Sequence, residues 1–177
     1  MDNTKKKLER VLVKVKQSFD KHKIPFWLIG GVVLGLVREK GFIENDFDID
    51  LGISSEDVAR AIRCCKNELG VVEVREKDGV VRCIKTQREG IKIDVLIFRR
   101  KKEMRYIVAH CENIGYVYHV YPSKLFRELE EIIFLGQKFK VLSPVEEYLE
   151  CEYGADWRTP KEYWNCCVDS PSVRSKI

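Results

Sequence analysis

No stretch of this chain is apolar for long enough to cross a bilayer. The longest apolar run, Ile24 to Val37, falls short of the roughly 20 residues a spanning helix needs, and Gly30, Gly31 and Gly35 interrupt it. Met1 to Lys7 is polar and lacks the apolar core of a signal peptide. A soluble protein of the cytoplasm, with no membrane span, is the expectation. The seven cysteines contain no C-x-x-C pair, which argues against a zinc ribbon. Reduced thiols are expected of them, the alternative being surface oxidation of the adjacent pairs Cys64-Cys65 and Cys166-Cys167. The three histidines, His22, His110 and His119, have no ligand spacing and read as ordinary surface or core residues. A P-loop, a G-x-S-x-G elbow and a G-x-G-x-x-G turn are all missing, and with them the chemistry each would carry. Internal repeats, low-complexity tracts and linkers are missing too.

What remains is a chain of 177 residues, 45% hydrophobic and 34% charged. That is enough for one domain around one core. Residues 1–168 are read as that domain and residues 169–177 as a polar, frayed tail. The net charge of +4 is mild; it suits an anionic small molecule and makes nucleic acid an unlikely partner. The sequence carries no signal of oligomeric state.

Periodicity places the elements. Leu8, Val11, Leu12, Val15 and Phe19 recur at helical spacing within residues 4–22. Phe26 to Ile29 reads as a short strand, Gly30-Gly31 as a turn, and Val32 to Arg38 as a helix. An acidic strand follows from Asp46 to Leu51. A helix capped by Ser54 or Ser55 runs to Leu69 and stops at Gly70. Val71 to Arg75 and Val80 to Thr86 form a strand pair, and Ile91 to Phe98 a further strand with Asp94 facing away from Ile91, Ile93, Val95 and Ile97. Arg99 to Lys102 reads as a solvated turn, residues 105–121 as weaker strands, and Ile132 to Val141 as a hairpin. Ser143 as cap and Pro144 in the first turn open a last helix.

The acids carry the chemistry. Alternate side chains of a strand share a face, so Asp46, Asp48 and Asp50 crowd three carboxylates together. The usual remedies for such a cluster are a divalent cation or a strong basic partner. Hard ions such as Mg²⁺ or Mn²⁺ take oxygen ligands and bridge carboxylates to phosphates. Asp94, a lone acid in an apolar strand, is costly to bury unpaired and joins the same site if its strand is a neighbour. The alternative reading is a solvated strand edge. Glycines at a strand-to-helix junction let backbone amides approach a phosphate, which makes Gly30 and Gly31 candidates. Arg38 and Lys40 are candidate phosphate contacts. Arg82, Lys85 and Arg88 are further candidates for lining a nucleotide site, against a reading as strand-face charges.

Strand, Gly-Gly, helix, then Asp-hydrophobic-Asp and a later Asp resembles the nucleotidyltransferase fold. Gly30-Gly31 through Arg38, Gly41-Phe42-Ile43 and Asp46-Phe47-Asp48-Ile49-Asp50 resemble the LicD/fukutin family more narrowly. Tyr153-Gly154-Ala155-Asp156-Trp157-Arg158-Thr159-Pro160 resembles that family's closing segment. The resemblance implies an α+β fold in which a mixed sheet carries the acidic site and helices pack on it. It implies transfer of a phospho-alcohol, phosphocholine or ribitol phosphate, from a CDP-activated donor to a sugar hydroxyl. Asp48 and Asp50 would bind Mg²⁺ or Mn²⁺ with Asp46 in support, and Asp94 would complete the acidic site, either receiving the acceptor's proton or only holding the metal. Gly30, Gly31 and Arg38 would hold donor phosphates. Phe47 departs from the family in replacing an acid, and a short stretch between Asp94 and the closing segment leaves the acceptor open. The rival readings are transfer of NMP from an NTP, and an inactive nucleotide-binding module on the same fold.

Overall fold

The structure is a computed structural model that describes residues 2–177. Helix α1 (Asp2–Lys21) lays Leu8, Val11, Leu12, Val15 and Phe19 into the core, each at most 2% exposed. Its lysines stay on the outer side. After Pro25 the chain enters strand β1 (Trp27–Leu28), helix α2 (Gly30–Arg38) and strand β2 (Asp48–Ser54). A short 3₁₀ turn and helix α3 (Val58–Cys64), prolonged by a π turn to Leu69, lead to Gly70, whose φ of 138° ends the helix. Strands β3 (Val72–Lys77), β4 (Val80–Arg88), β5 (Ile91–Lys101), β6 (Met104–Cys111) and β7 (Gly115–Pro122) follow. Then come β8 (Glu130–Phe134), β9 (Gln137–Val141), helix α4 (Val145–Tyr153) and β10 (Val173–Arg174).

The strands run in the order β10-β7-β6-β5-β2-β1-β9-β8, with β4 also on β5 and β3 on β4. Among the described residues only β2–β5 and β1–β9 pair in parallel, so the sheet is mixed and the fold α+β. Strand β5 organises it. Its first part, Ile91 to Phe98, pairs with β2 and β4; its last part, Arg99 to Lys101, pairs with β6. The β6–β7 ribbon therefore leaves the main sheet beside β4 and encloses space above it.

Several expectations are corrected. Arg99 to Lys102 is no solvated turn: alternation carries β5 through it to reach β6. The acidic strand begins at Asp48, and Asp46 lies in the preceding turn, where Asn45 takes a φ of 66°. Ser54 makes no capping hydrogen bond; the 3₁₀ turn is held by the Asp57–Arg60 ion pair instead. Ser143 is not a helix cap either. Its hydroxyl donates to Glu130 at 2.9 Å and Pro144 lies outside α4 after a cis peptide bond. The tail is not frayed: Ser170 and Ser172 are buried, and Val173–Arg174 pairs with β7. The cysteines are not all thiols, because Cys111 and Cys167 form a disulfide. The other five are free, as expected, with Cys64, Cys65 and Cys83 buried. Among the described residues no helix is long and apolar enough to cross a membrane.

Candidate active site

Parallel pairing of β2 with β5 sets Asp50 beside Asp94 and Asp48 beside Lys92. Partners in register on adjacent strands are about 4.8 Å apart and point the same way. Asp48, Asp50 and Asp94 thus share one face. The intervening Ile49, Leu51, Ile93 and Val95 point the other way, with no exposure, into the core under α1 and α3. Strand alternation alone sorts carboxylates upward and aliphatics downward. All three line one cleft.

Asp46 joins them from the turn before β2. A Cβ placed on Gly31 would lie 2.0 Å from its Oδ2, and one on Gly30 would lie 2.8 Å from Oδ2 of Asp50. Gly30 also has a φ of 63°, a conformation other residues adopt at a cost. The glycine pair is there because the start of α2 presses against two carboxylates. Its backbone is also partly engaged: the Gly30 N–H donates to the Tyr148 hydroxyl at 2.7 Å.

The cluster is strained electrostatically. Burial, then a hydrogen bond to Asp48 and the Asp48 charge, push Asp46 up to about 7. Asp50 is raised well above the carboxylate range, by burial first and then by the charges of Asp48, Asp94 and Asp46. Asp50 retains some surface toward the cleft, but protein surrounds it on every other side. Lys85 forms an ion pair with Asp94. Burial pulls the Lys85 ammonium down, but the hydrogen bond and charge of Asp94 outweigh it and the net shift is upward.

A hard divalent cation fits this donor set, which is carboxylate oxygen throughout. It would relieve the repulsion that Asp46 and Asp48 now meet by sharing a hydrogen bond. Among the described residues no three His, Cys, Asp or Glu side chains already converge as ligands on one point; Asp94 is paired with Lys85.

The acids open into a cleft of 490 Å³. Its floor is Gly30, Gly31, Asp48, Asp50 and Asp94. One wall is β4 with Arg82, Cys83 and Lys85; another is the β6–β7 ribbon. The third is α4 and the segment after it, through Tyr148, Glu152, Tyr153 and Trp164. Tyr153 and Trp164 lie with ring centroids 5.3 Å apart. They also line a neighbouring cleft of 200 Å³, together with Gly31, Asp46 and Arg38.

The remaining candidates divide. Arg38 donates to Glu39 at 2.7 Å and to the Trp157 carbonyl at 3.2 Å, so it clasps α2 to the loop after α4 at the edge of the smaller cleft. Lys40 is exposed, donates to the Val37 carbonyl, and borders neither cleft. Arg88 holds the Glu68 carbonyl elsewhere. Trp157 is buried, in keeping with a packing role.

Sequence reasoning missed the inner wall. Glu152 is buried and accepts from Tyr121 at 2.5 Å and from Ser172 at 3.4 Å. Burial pushes it up to about 7. Buried His119 meets Ser172 at 2.8 Å, and burial lowers it to about 4. The signals were present: Glu152 follows Tyr148 and Leu149 by four and three residues, on the apolar face of its helix, and His119 alternates with Val117 and Tyr121 on the inward face of β7.

A family model described as LicD/FKTN/FKRP, nucleotidyltransferase domain, matches residues 23–141. The chain belongs to this family. The LicD match holds Gly30, Gly31 and all four acids, while α4, with Tyr148, Glu152 and Tyr153, lies beyond it. Human ribitol-5-phosphate transferase FKTN is 25% identical over 175 residues, 96% of this chain and 37% of that protein. An uncharacterized protein of Rickettsia typhi is 27% identical over 128 residues, 70% of this chain and 36% of its own length. The chain thus spans little more than a third of these relatives. Among solved structures, the lincomycin-bound lincosamide antibiotic adenylyltransferase LnuA aligns with a TM-score of 0.54 at 16% identity, covering 78% of this chain and 81% of the other. A putative nucleotidyltransferase from Thermotoga maritima gives 0.54 at 18%, covering 81% and 82%. These likenesses show the fold, which is the one expected, and family and fold together point to a transferase.

Proposed function

We propose that this LicD-family chain catalyses metal-dependent transfer of a phospho-alcohol, phosphocholine or a polyol phosphate, from a CDP-activated donor to a hydroxyl of a sugar or glycan. The observation that carries the reading is the register of β2 on β5, which gathers Asp48, Asp50 and Asp94 at the floor of a cleft within the family's matched segment. The similarity to a ribitol-5-phosphate transferase supports the polyol phosphate. Asp48 and Asp50 would hold Mg²⁺ or Mn²⁺ with Asp46 and Asp94 beside them, and the ion would neutralise charge developing on the phosphate oxygens.

The chain's own groups do the rest. Asp94 accepts the proton of the attacking acceptor hydroxyl, and Lys85 holds its carboxylate in place. The hydroxyl attacks phosphorus in line and CMP leaves. Tyr148 fixes the start of α2 through the Gly30 amide, and with it the spacing between the glycines and the acids. Tyr153 and Trp164 offer flat faces to a nucleobase or a sugar ring. A cytoplasmic location carries a corollary: there Cys111 and Cys167 would stand as thiols, since reducing compartments do not sustain structural disulfides.

Product analysis tests the reading. The protein is incubated with Mg²⁺ or Mn²⁺ and CDP-choline, CDP-ribitol, CDP-glycerol or each of the four NTPs. CMP from one CDP-alcohol, abolished in Asp48→Asn, is the expected result. Pyrophosphate from an NTP would replace this reading with nucleotidyl transfer. Nucleotide binding with no turnover on any donor and acceptor would replace it with a binding module.

A further inference from the structure

Three cations border the cleft from the β3–β4 side: Arg75, Arg82 and Lys85. Two are matched by carboxylates. Lys85 is paired with Asp94, and Arg75 with Glu73 at 2.8 Å. Among the described residues Arg82 has no carboxylate partner, and its buried Nε has no hydrogen-bond partner in the protein. Leaving a buried guanidinium donor unmatched costs free energy unless something else meets it.

The backbone has been altered to put it there. On β3, Arg75 lies opposite Cys83 but Glu76 lies opposite Val81, so Arg82 is an extra residue with no partner across the ladder. This is a β-bulge, a device that turns a side chain away from the regular alternation. Without it, Arg82 would face opposite to Cys83 and Lys85 and point out of the cleft. With it, all three line the cleft. The bulge sits where β4 ends its pairing with β5, at Cys83 opposite Leu96. Arg99 secures it by donating to the Val81 carbonyl.

The guanidinium is also supported from behind. Its carbon lies 5.7 Å from the ring centroid of Tyr116, within cation–π range, and Tyr116 itself packs against His110 at 4.9 Å. A side chain held by a bulge below and a ring behind is fixed in the lining of the cleft, with its planar fork of donors. Such a fork matches two oxygens of one phosphate.

We propose that Arg82 binds a phosphate group of the substrate, on the β4 wall of the cleft. The inference rests on the phosphate-transfer reading above and adds to it the residue that fixes where the donor's diphosphate lies. The acids alone repel that diphosphate; one unmatched guanidinium gives it an attractive counterpart and orients the phosphorus that is attacked.

Calorimetric titration with inorganic pyrophosphate, with and without Mg²⁺, tests it without any transfer taking place. Arg82→Ala should weaken binding roughly 10- to 100-fold, as for loss of a charge-assisted pair. Arg82→Lys keeps the charge without the fork and should fall between that variant and the wild type; it carries the test if the alanine variant does not fold. Arg88→Ala, a cation on the same strand outside the cleft, should bind as the wild type does. Unchanged affinity in folded Arg82→Ala or Arg82→Lys overturns the proposal. So does an equal loss in Arg88→Ala, or no pyrophosphate binding by the wild-type protein. If pyrophosphate binding depends on Arg82 but no CDP-alcohol is turned over, the phosphate site stands and the transfer reading falls.

Discussion

A methyl group is the smallest probe of the acidic floor. At Gly31 it would meet the end of a flexible side chain, Asp46; at Gly35 it would meet the Gly41 carbonyl at 2.5 Å, which is backbone. The two positions should respond differently. Gly31→Ala should displace the Asp46 carboxylate, lowering turnover at least tenfold with little change in melting temperature. Gly35→Ala should cost about 1–3 kcal/mol of stability, the usual cost of overpacking, read from denaturant unfolding. Unchanged turnover in Gly31→Ala would mean that Asp46 plays no part in the reaction. Asp48→Asn removes a charge and keeps the shape. It should lower turnover by about 100-fold or more, a loss comparable with that of other electrostatic groups at a reacting centre, while the fold survives.

At the scale of elements, the inner wall gives a pH signature. Glu152 on α4 is raised from 4.5 to about 7, so the folded state holds a proton the unfolded chain gives up; that stability is full below pH 4.5 and is lost as pH rises through 7. His119 on β7 is lowered from 6.5 to about 4, so its contribution is full above pH 6.5 and is lost as pH falls through 4. Between about pH 4.5 and 6.5 folded and unfolded chains hold equal numbers of protons at these two sites. Tyr121, Tyr148, Tyr153 and Cys166, which also face Glu152, are raised above their ordinary values and stay neutral throughout. The pair itself thus adds no slope across that window, and the raised Asp46 and Asp50, whose contribution is lost as pH rises, set the slope of the wild type. Relative to the wild type, Glu152→Gln should lose melting temperature as pH drops from 7 to 4.5. Relative to the wild type, His119→Gln should lose melting temperature as pH rises from 4 to 6.5. Each shift of this size corresponds to roughly 3 kcal/mol. Parallel pH profiles in all three proteins would contradict the assignment.

Elements are also where the sequence was read best and worst. The acidic floor was legible because a strand's two-residue period is local: Asp48, Asp50 and Asp94 needed only the pairing of β2 with β5. The face of α1 was legible for the same reason. The β-bulge at Arg82, the reach of Arg99 to Lys101 into β6, and the return of residues 170–174 to β7 were not. Each is decided by which strand lies alongside, a matter of tertiary pairing that no local period reports. Ser143 was misread as a cap because its hydroxyl finds a distant partner in Glu130. The disulfide was hidden because Cys111 and Cys167 are separated by 56 residues and meet only when the last segment folds back.

On the scale of the whole molecule, that last segment closes the cleft. The Cys111–Cys167 bond ties it to the β6–β7 ribbon, and Ser172 ties it to His119 and Glu152. Reduction, or Cys111→Ser, should cost about 2–4 kcal/mol, since the bond closes a long loop. It should also increase hydrogen exchange in residues 165–174 before any change in β2 or β5. No change in either would mean that the segment is held by its hydrogen bonds alone.

The central claim is that the floor of aspartates transfers a phospho-alcohol, and phosphorus NMR of a complete reaction tests it most directly. With a CDP-alcohol, a sugar acceptor and Mg²⁺ or Mn²⁺, the wild-type protein should produce a new phosphodiester signal and CMP in equal amounts, and Asp48→Asn should produce neither. Pyrophosphate and a nucleotidylated acceptor from an NTP, with the CDP-alcohol left intact, would contradict the account.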